Sequence, residues 1–342
     1  MNLLEQQGQF DEAIQLTEQS LNLARKIWVN GHKNVAITLN NLALVYYKQG
    51  KYNLAEPLYQ EALAIYKHLF KRDNPDIATS LSNLACLYND QEKYSEAESL
   101  HQDALSMRKR LFNRDHPDIV NSLNNLASLY NDQGKYSEAE PILQEALAIR
   151  KRLFKTDHPD VATNLNNLVY LYCTQGKYSE AELFAQESLA MNNRLFKTDH
   201  PDVAISLNNL ALLYDEQGKY SQAEPLLQEA LAIRKRLFSG NHPDVATSSS
   251  SLASLYNNQG KYSEAESLLQ ESLAMRKRLF KTNHPDVALG LNNLALLYDQ
   301  QGKYSQAEPL LQEVLAIRKR LFSGDHPDIA TSVNNLAFLV HY

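Results

Sequence analysis

The apolar positions of this chain fall on a helical beat. In residues 201–242, Val203, Leu207, Leu210, Ala211 and Tyr214 are spaced 4, 3, 1 and 3 residues apart, which places them on one face of an α-helix. Pro201 before them suits the first helical position, and Asp202 suits the positive end of the helix dipole. Gln217-Gly218-Lys219 then predicts a stop, glycine taking the positive φ of a helix C-terminus. Ala223, Leu227, Ala230 and Leu231 mark a second amphipathic helix running to about Phe238. Its start carries a capping-box spacing in several copies, Ser137 with Glu140 and Ser263 with Glu266. Prolines 57, 141, 225 and 309 are expected in its first turn, where a missing N–H costs little. No stretch alternates as a strand would.

The pattern repeats. Prolines at 75, 117, 159, 201, 243, 285 and 327 are each 42 residues apart, and glycines at 8, 50, 134, 176, 218, 260 and 302 keep the same period with Glu92 in the vacant slot. Residues 201–242 and 285–326 differ at five positions, among them Asn241/Asp325. The expected organisation is a single array over 1–342. It comprises a partial first repeat at 1–32, full repeats at 33–74, 75–116, 117–158, 159–200, 201–242, 243–284 and 285–326, and a terminal helix at 327–342. Recurrent small residues, Ala211 and Ala223 with Ala127/Ala139 and Ala295/Ala307, let paired helices approach closely. Because one unit cannot bury its apolar face alone, stability must come from neighbour interfaces.

The string Asn-Leu-Ala-x-x-Tyr-x-x-Gln-Gly-Lys-Tyr-x-x-Ala-Glu, with Ala-Leu further on, resembles the tetratricopeptide repeat. That unit usually has about 34 residues. Here the second helix and its exit loop are longer, Arg-Lys-Arg-Leu-Phe-x-x-x-His-Pro-Asp, and with Leu-Asn-Asn-Leu-Ala this is similar to the repeats of kinesin light chains. Near-identical tandem copies resemble bacterial relatives, cyanobacterial ones especially. No heptad segment precedes the array, so kinesin binding is not implied. The resemblance implies an all-α, right-handed superhelical solenoid whose first helices line a concave face. It also implies that the second Asn of each Asn-Asn pair clamps ligand backbone or carboxylate.

Composition narrows the function. The 342 residues carry a formal charge of −6, against a nucleic-acid binder, which needs a basic face. No apolar run approaches the roughly 18 residues of a membrane span, and the N-terminus lacks the regions of a signal peptide. The expectation is a cytoplasmic protein without cofactors. Cys86 and Cys173 are too few for a disulfide framework and too far apart in the array to pair. His32, His116, His158, His200, His242, His284 and His326 stand in the entry loops, too widely separated to share a metal; helix-entry duty is expected of them. No catalytic constellation breaks the repeat, so an enzyme is not expected.

What remains is the face of the first helices opposite their core side. Asn-Asn recurs there at 40–41, 124–125, 166–167, 208–209, 292–293 and 334–335, with Ser82-Asn83 and Ser250-Ser251 as exceptions. Asn in a helix is less favourable than Ala by roughly half a kcal/mol, so the recurrence asks for a reason. Three readings stay open: a ladder of amides for a bound peptide backbone, a structural ladder between repeats, or recent duplication. On the first reading Asn41, Asn83, Asn125, Asn167, Asn209 and Asn293 hold the backbone. Variable neighbours, among them Asn131, Tyr170, Asp215 and Asn257, then set selectivity, as variation concentrates at these positions while packing positions barely change. Asp90, Asp132, Asp215, Glu216 and Asp299 make one edge acidic. Arg-Lys-Arg triplets late in the second helices form either a basic stripe for an acidic partner or a favourable match to the helix dipole.

The function this supports is a non-catalytic interaction scaffold binding a peptide segment of a partner protein. The alternative is a self-assembly module. Aligning Gly8 with Gly50 places Met1 midway through a first helix, and the last helix ends Leu336-Ala337-Phe338-Leu339-Val340-His341-Tyr342. That apolar end serves as a cap, marks a fragment of a longer array, or brings copies together as a homo-oligomer.

Overall fold

The computed structural model describes residues 10–28, 31–112, 115–238, 240–280, 283–322 and 326–340. The readings on Met1, Gly8, Asp325 and His341-Tyr342 lie outside these residues, as do the side chains of Leu339 and Val340. Sixteen helices form among the described residues, and no strand. In order they are α1 (Phe10–Ile27), α2 (Lys33–Lys48), α3 (Tyr52–Leu69), α4 (Pro75–Asp90), α5 (Tyr94–Leu111), α6 (Pro117–Asp132), α7 (Tyr136–Leu153) and α8 (Pro159–Thr174). They continue as α9 (Tyr178–Leu195), α10 (Pro201–Glu216), α11 (Tyr220–Leu237), α12 (Pro243–Asn258), α13 (Tyr262–Leu279), α14 (Pro285–Gln300), α15 (Tyr304–Leu321) and α16 (Pro327–Val340). Even numbers are first helices of the repeat and odd numbers second helices. They fall into two compact units, Phe10–Met191 and Asn192–Tyr342.

Local chemistry sets each helix start. The prolines occupy the opening of the first helices, and the preceding His116, His158, His200, His242, His284 and His326 are their N-caps. Each ring accepts through Nδ1 from the aspartate N–H two residues on, at 3.0–3.2 Å. The same rings stack on the phenylalanine four residues earlier, centroids 3.4–3.9 Å apart. Asn74 caps α4 through Oδ1 at 2.8 Å. The histidines are therefore occupied as caps.

First helices end in a Schellman turn. Lys135 N–H donates to the Tyr130 carbonyl at 2.7 Å and Gly134 N–H to that of Asn131 at 2.9 Å, with Gly134 at φ 71°. Glu92 is forced to φ 57° in the slot that elsewhere holds glycine. This turn leads directly into the second helix, which corrects two expectations. The N-cap of α7 is Lys135 with no side-chain cap bond, and Ser137 lies inside the helix, donating to Glu138 at 2.7 Å. No capping box forms. Pro141 is the sixth residue of α7, beyond the first turn, and so removes a ladder N–H that would have reached the Ser137 carbonyl.

The core confirms close packing at small residues: Ala127, Ala139, Ala211, Ala223, Ala295 and Ala307 are all buried. Each cluster spans more than one repeat. Ile119, Val120 and Leu123 of α6 pack with Ala146 and Ile149 of α7, and Leu105 of α5 and Phe112 just after it cover the same cluster. In the second unit Ala211, Leu227, Val245, Leu255 and Met275 bring four consecutive helices together.

Two core positions break the rule. Ser249 stands where other copies hold Leu39, Leu81, Leu123, Leu165, Leu207 or Leu291, and its buried hydroxyl has no partner among the described residues. Ser249→Leu should stabilise the protein by about 2 kcal/mol, read as a raised urea midpoint; an unchanged or lowered midpoint contradicts this. His101 stands where Leu143, Leu227, Leu269 and Leu311 stand, is buried, and has an unpartnered Nδ1. Burial, reinforced by Arg108, pushes its pKa from 6.5 down to about 4. The unfolded chain therefore takes up this proton before the folded chain does. The stability linked to His101 is complete above pH 6.5 and is lost as pH falls toward about 4, on the order of 3 kcal/mol in total. His101→Leu should flatten that part of the acid stability curve.

Candidate functional site

Between consecutive repeats of a unit the same polar latch recurs. Tyr130 donates to Glu98 at 3.0 Å, Gln102 to Tyr130 at 3.3 Å, and Lys135 to Glu98 at 3.4 Å while lying over the Tyr130 ring. Tyr172, Gln144, Lys177 and Glu140 repeat it, as do Tyr298, Gln270, Lys303 and Glu266. Hydrogen bonding to Lys177, above all, holds the Glu140 carboxyl below its usual range.

The Arg-Lys-Arg triplets resolve into three structural duties. The first arginine is buried: Arg108 donates to Ser122 Oγ at 2.6 Å, and Arg234 to Ser248 Oγ at 2.7 Å and the Asp244 carbonyl at 3.1 Å. The lysine reaches the next second helix, as in Lys109–Glu145 at 3.0 Å and Lys277–Glu313 at 3.0 Å. The last arginine grips the loop one repeat earlier through two bonds, Arg152 to Asp115 at 2.5 and 2.8 Å and Arg236 to Asp199 at 2.5 and 2.9 Å. These contacts account for the triplets from one repeat to the next.

The first helices are left with a shared face, and there the Asn-Asn pairs divide. Three first members bond across repeats. Asn40 donates to Ser80 at 3.1 Å, Asn124 accepts from the buried Asn164 at 2.8 Å, and Asn292 accepts at 3.4 Å from Asn335, the second member of its own pair. Asn208 is itself buried, its Oδ1 without a partner. The second members Asn41, Asn83, Asn125, Asn167, Asn209 and Asn293 are half-buried, and their side chains make no hydrogen bond to any described residue.

Clefts open between neighbouring first helices. One, of about 360 Å³ between α6 and α8, is lined by Asn124, Ser128, Asn131, Asn167 and Tyr170 over Ala127, Leu143 and Leu171. Another, of about 610 Å³ between α12 and α14, is lined by Ser250, Ser254, Asn257, Asn293, Leu296 and Gln300 over Ala253, Leu269 and Leu297. Tyr170 is 61% exposed at its cleft. Of the residues expected to set selectivity, Asn131, Tyr170 and Asn257 thus line clefts, and Asp215 does not line either of these. Asn131 also accepts from Thr174 at 3.3 Å, and Asp215 accepts from Asn258 at 3.1 Å through both oxygens. Tyr47 with Asp90 and Asn89 with Asp132, each at 2.7 Å, complete this second inter-repeat ladder, which sequence reasoning missed. Its signal was available: the ladder positions 47/90, 89/132, 131/174 and 215/258, each 43 apart, never pair two carboxylates.

The electrostatics of the face are one-sided. Burial pushes the Asp90 and Asp215 carboxyls up, opposed by the bonds from Tyr47 and Asn258. Neither cysteine is in a disulfide, and burial pushes the Cys86 thiol up to about 11, away from a reactive thiolate. Among the described residues no group of three or more His, Cys, Asp or Glu is placed to hold a metal. None of the described helices is long and apolar enough to cross a membrane.

Paired helices in a 42-residue register, closed by neighbour latches and presenting a common face, define a repeat scaffold. A tetratricopeptide repeat model matches residues 2–68, 34–110, 76–152, 118–194, 184–236, 216–278, 244–320 and 286–342, and the chain belongs to that family. Proteins built from this repeat generally mediate protein–protein interactions and are generally non-catalytic. Solved structures with the same architecture include BtubC (BKLC) from P. vanneervenii, 24% identical over 68% of this chain and 93% of that one, TM-score 0.56. The Rap protein complexed with Competence and Sporulation Factor is 16% identical over 90% of this chain and 86% of that one, TM-score 0.62. A putative kinesin light chain from Podosopora anserina, with nearly identical TPR-like repeats, is 27% identical over 60% of this chain and 98% of that one, TM-score 0.48. None of the curated proteins matches the chain.

The division of the Asn-Asn pairs has a thermodynamic consequence. Asn124→Ala strands the amide of buried Asn164 and should destabilise by about 1–3 kcal/mol. Asn125→Ala removes no bond and gains helix propensity, so it should be neutral or stabilising by about 0.5 kcal/mol. Equal urea midpoints for the two variants would refute the assignment.

Proposed function

We propose that each unit binds a peptide segment of a partner protein on the face lined by its first helices. Asn41, Asn83, Asn125, Asn167, Asn209 and Asn293 bond its backbone, and the clefts receive its side chains. The observation that supports this is the contrast at 40–41, 124–125 and 292–293: the first amide is committed between repeats while its neighbour is held, half-buried, without a partner. An amide presents both a donor and an acceptor, which matches a peptide group. Side chains at the clefts differ from copy to copy, from Tyr170 to Leu296, as selective reading requires. The fold neighbour Rap is complexed with Competence and Sporulation Factor; for this chain that likeness supports the fold alone.

The test is a pull-down from lysate of the source organism with wild type, Asn125→Ala/Asn167→Ala and Asn209→Ala/Asn293→Ala, each confirmed folded by circular dichroism. A protein retained by wild type and lost by either double variant identifies the unit that binds. Equal retention by all three moves the function off this face.

A further inference from the structure

The peptide reading leaves the partner's chemistry open, and residues 201–300 constrain it. From α4 onward no first helix contains a lysine or arginine. In the last turns of α10 and α14, Asp215, Glu216 and Asp299 sit where the negative end of the helix dipole disfavours them. Asp215 is met by the neutral amide of Asn258, and among the described residues no ion pair reaches any of the three carboxylates. Nearby cations are engaged elsewhere: Lys235 with Glu271, Arg236 with Asp199 and Glu229, Lys261 with Glu224. Lys219 and Lys303, at the same helix ends, lie over the Tyr214 and Tyr298 rings, so the edge carries three carboxylates without an ion pair among the described residues.

Beside it lie aliphatic side chains. Ile205 and Leu212 on α10, and Leu289 and Leu296 on α14, are 38–47% exposed. The helix between them, α12, presents Ser254 and Asn257 at its cleft. Apolar, polar and apolar strips therefore follow one another across three first helices, with acid at the ends of the two apolar ones.

Resting on the peptide reading, we propose that this face takes an extended, cationic partner segment. It carries two aliphatic side chains with Lys or Arg beside each. Two helix-packing steps of roughly 8–10 Å, at about 3.3 Å per extended residue, set the aliphatic positions about five or six residues apart. The cations meet Asp215, Glu216 and Asp299, and the intervening backbone crosses α12.

The test uses the full chain and three fluorescein-labelled synthetic peptides. One has two leucines at this spacing flanked by lysines, the second has every lysine replaced by glutamate, and the third has both leucines replaced by serine. Fluorescence anisotropy should show the cationic leucine probe bound at least about tenfold more tightly than either other probe, and more weakly as salt is raised. Asp215→Asn/Asp299→Asn should weaken it several-fold, with the fold intact by circular dichroism. If the glutamate probe binds as well or better, and Leu212→Asp/Leu296→Asp abolishes its binding, the charge assignment falls while the peptide reading stands. If the cationic probe binds wild type and Leu212→Asp/Leu296→Asp equally, the contact is off this face and both fall for this unit. Binding of none of the probes overturns the inference.

Discussion

Each repeat presents more apolar surface than its own two helices can cover, and contact with the neighbour closes it. The cluster built from Leu105, Val120, Leu123 and Ile149 draws on three helices from two repeats. Burial of this kind is non-directional, so it does not by itself fix how one repeat sits on the next. The polar contacts add direction. A buried arginine such as Arg234 bonds both a serine hydroxyl and a helix-opening carbonyl on the following first helix. Its position defines the junction more narrowly than leucines alone would. A charge buried in this way destabilises severely if its partner is removed, so side chain and acceptor are expected to change together.

Those junctions also explain where the charges lie. The triplet cations serve neighbour contacts, the histidines of the first-helix starts serve caps, and the first helices from α4 onward carry acid without base. An acidic residue in the last turn of a helix opposes the dipole by about 0.3–1 kcal/mol. Helix stability therefore gives no reason for Asp215 or Asp299, and inter-repeat pairing gives a partial one, since Asp215 accepts from Asn258. Asn41, Asn83, Asn125, Asn167, Asn209 and Asn293 stay outside these junctions.

Much of this was legible from spacing. Helix identity followed from apolar periodicity, first-helix starts from proline and histidine, and stops from glycine, because each depends on neighbours within one turn. The second-helix start was misread since Ser137 and Glu140 satisfy the capping-box spacing while the Schellman turn at Gly134 has already fixed where the helix begins. Glu140 is recruited by Tyr172 and Lys177 of the next repeat, a contact that no local pattern announces. The two asparagines of a pair look alike in sequence for the same reason. One helical step of about 100° separates them, enough to turn Asn124 toward Asn164 and leave Asn125 without a partner.

The irregular copies show that the junction, rather than any one residue, is what the fold maintains. Where Asn192 replaces the buried arginine, its amide donates to Ser206 Oγ at 2.9 Å and to the Asp202 carbonyl at 3.1 Å, the pair of acceptors that Arg234 finds one repeat later. Where Asn164 replaces the serine, Arg150 turns to the Asp160 carboxylate at 2.7 Å and to Asn121 at 3.0 Å, and Asn164 satisfies Asn124 instead. Where Gly290 removes the hydroxyl, Arg276 keeps the Asp286 carbonyl at 3.4 Å and leans its Cδ into the space a Cβ would occupy. In each case the change on one side of the interface is answered on the other. Asn41, Asn83, Asn125, Asn167, Asn209 and Asn293 make no such contact with the described residues, and the peptide proposal rests on that difference.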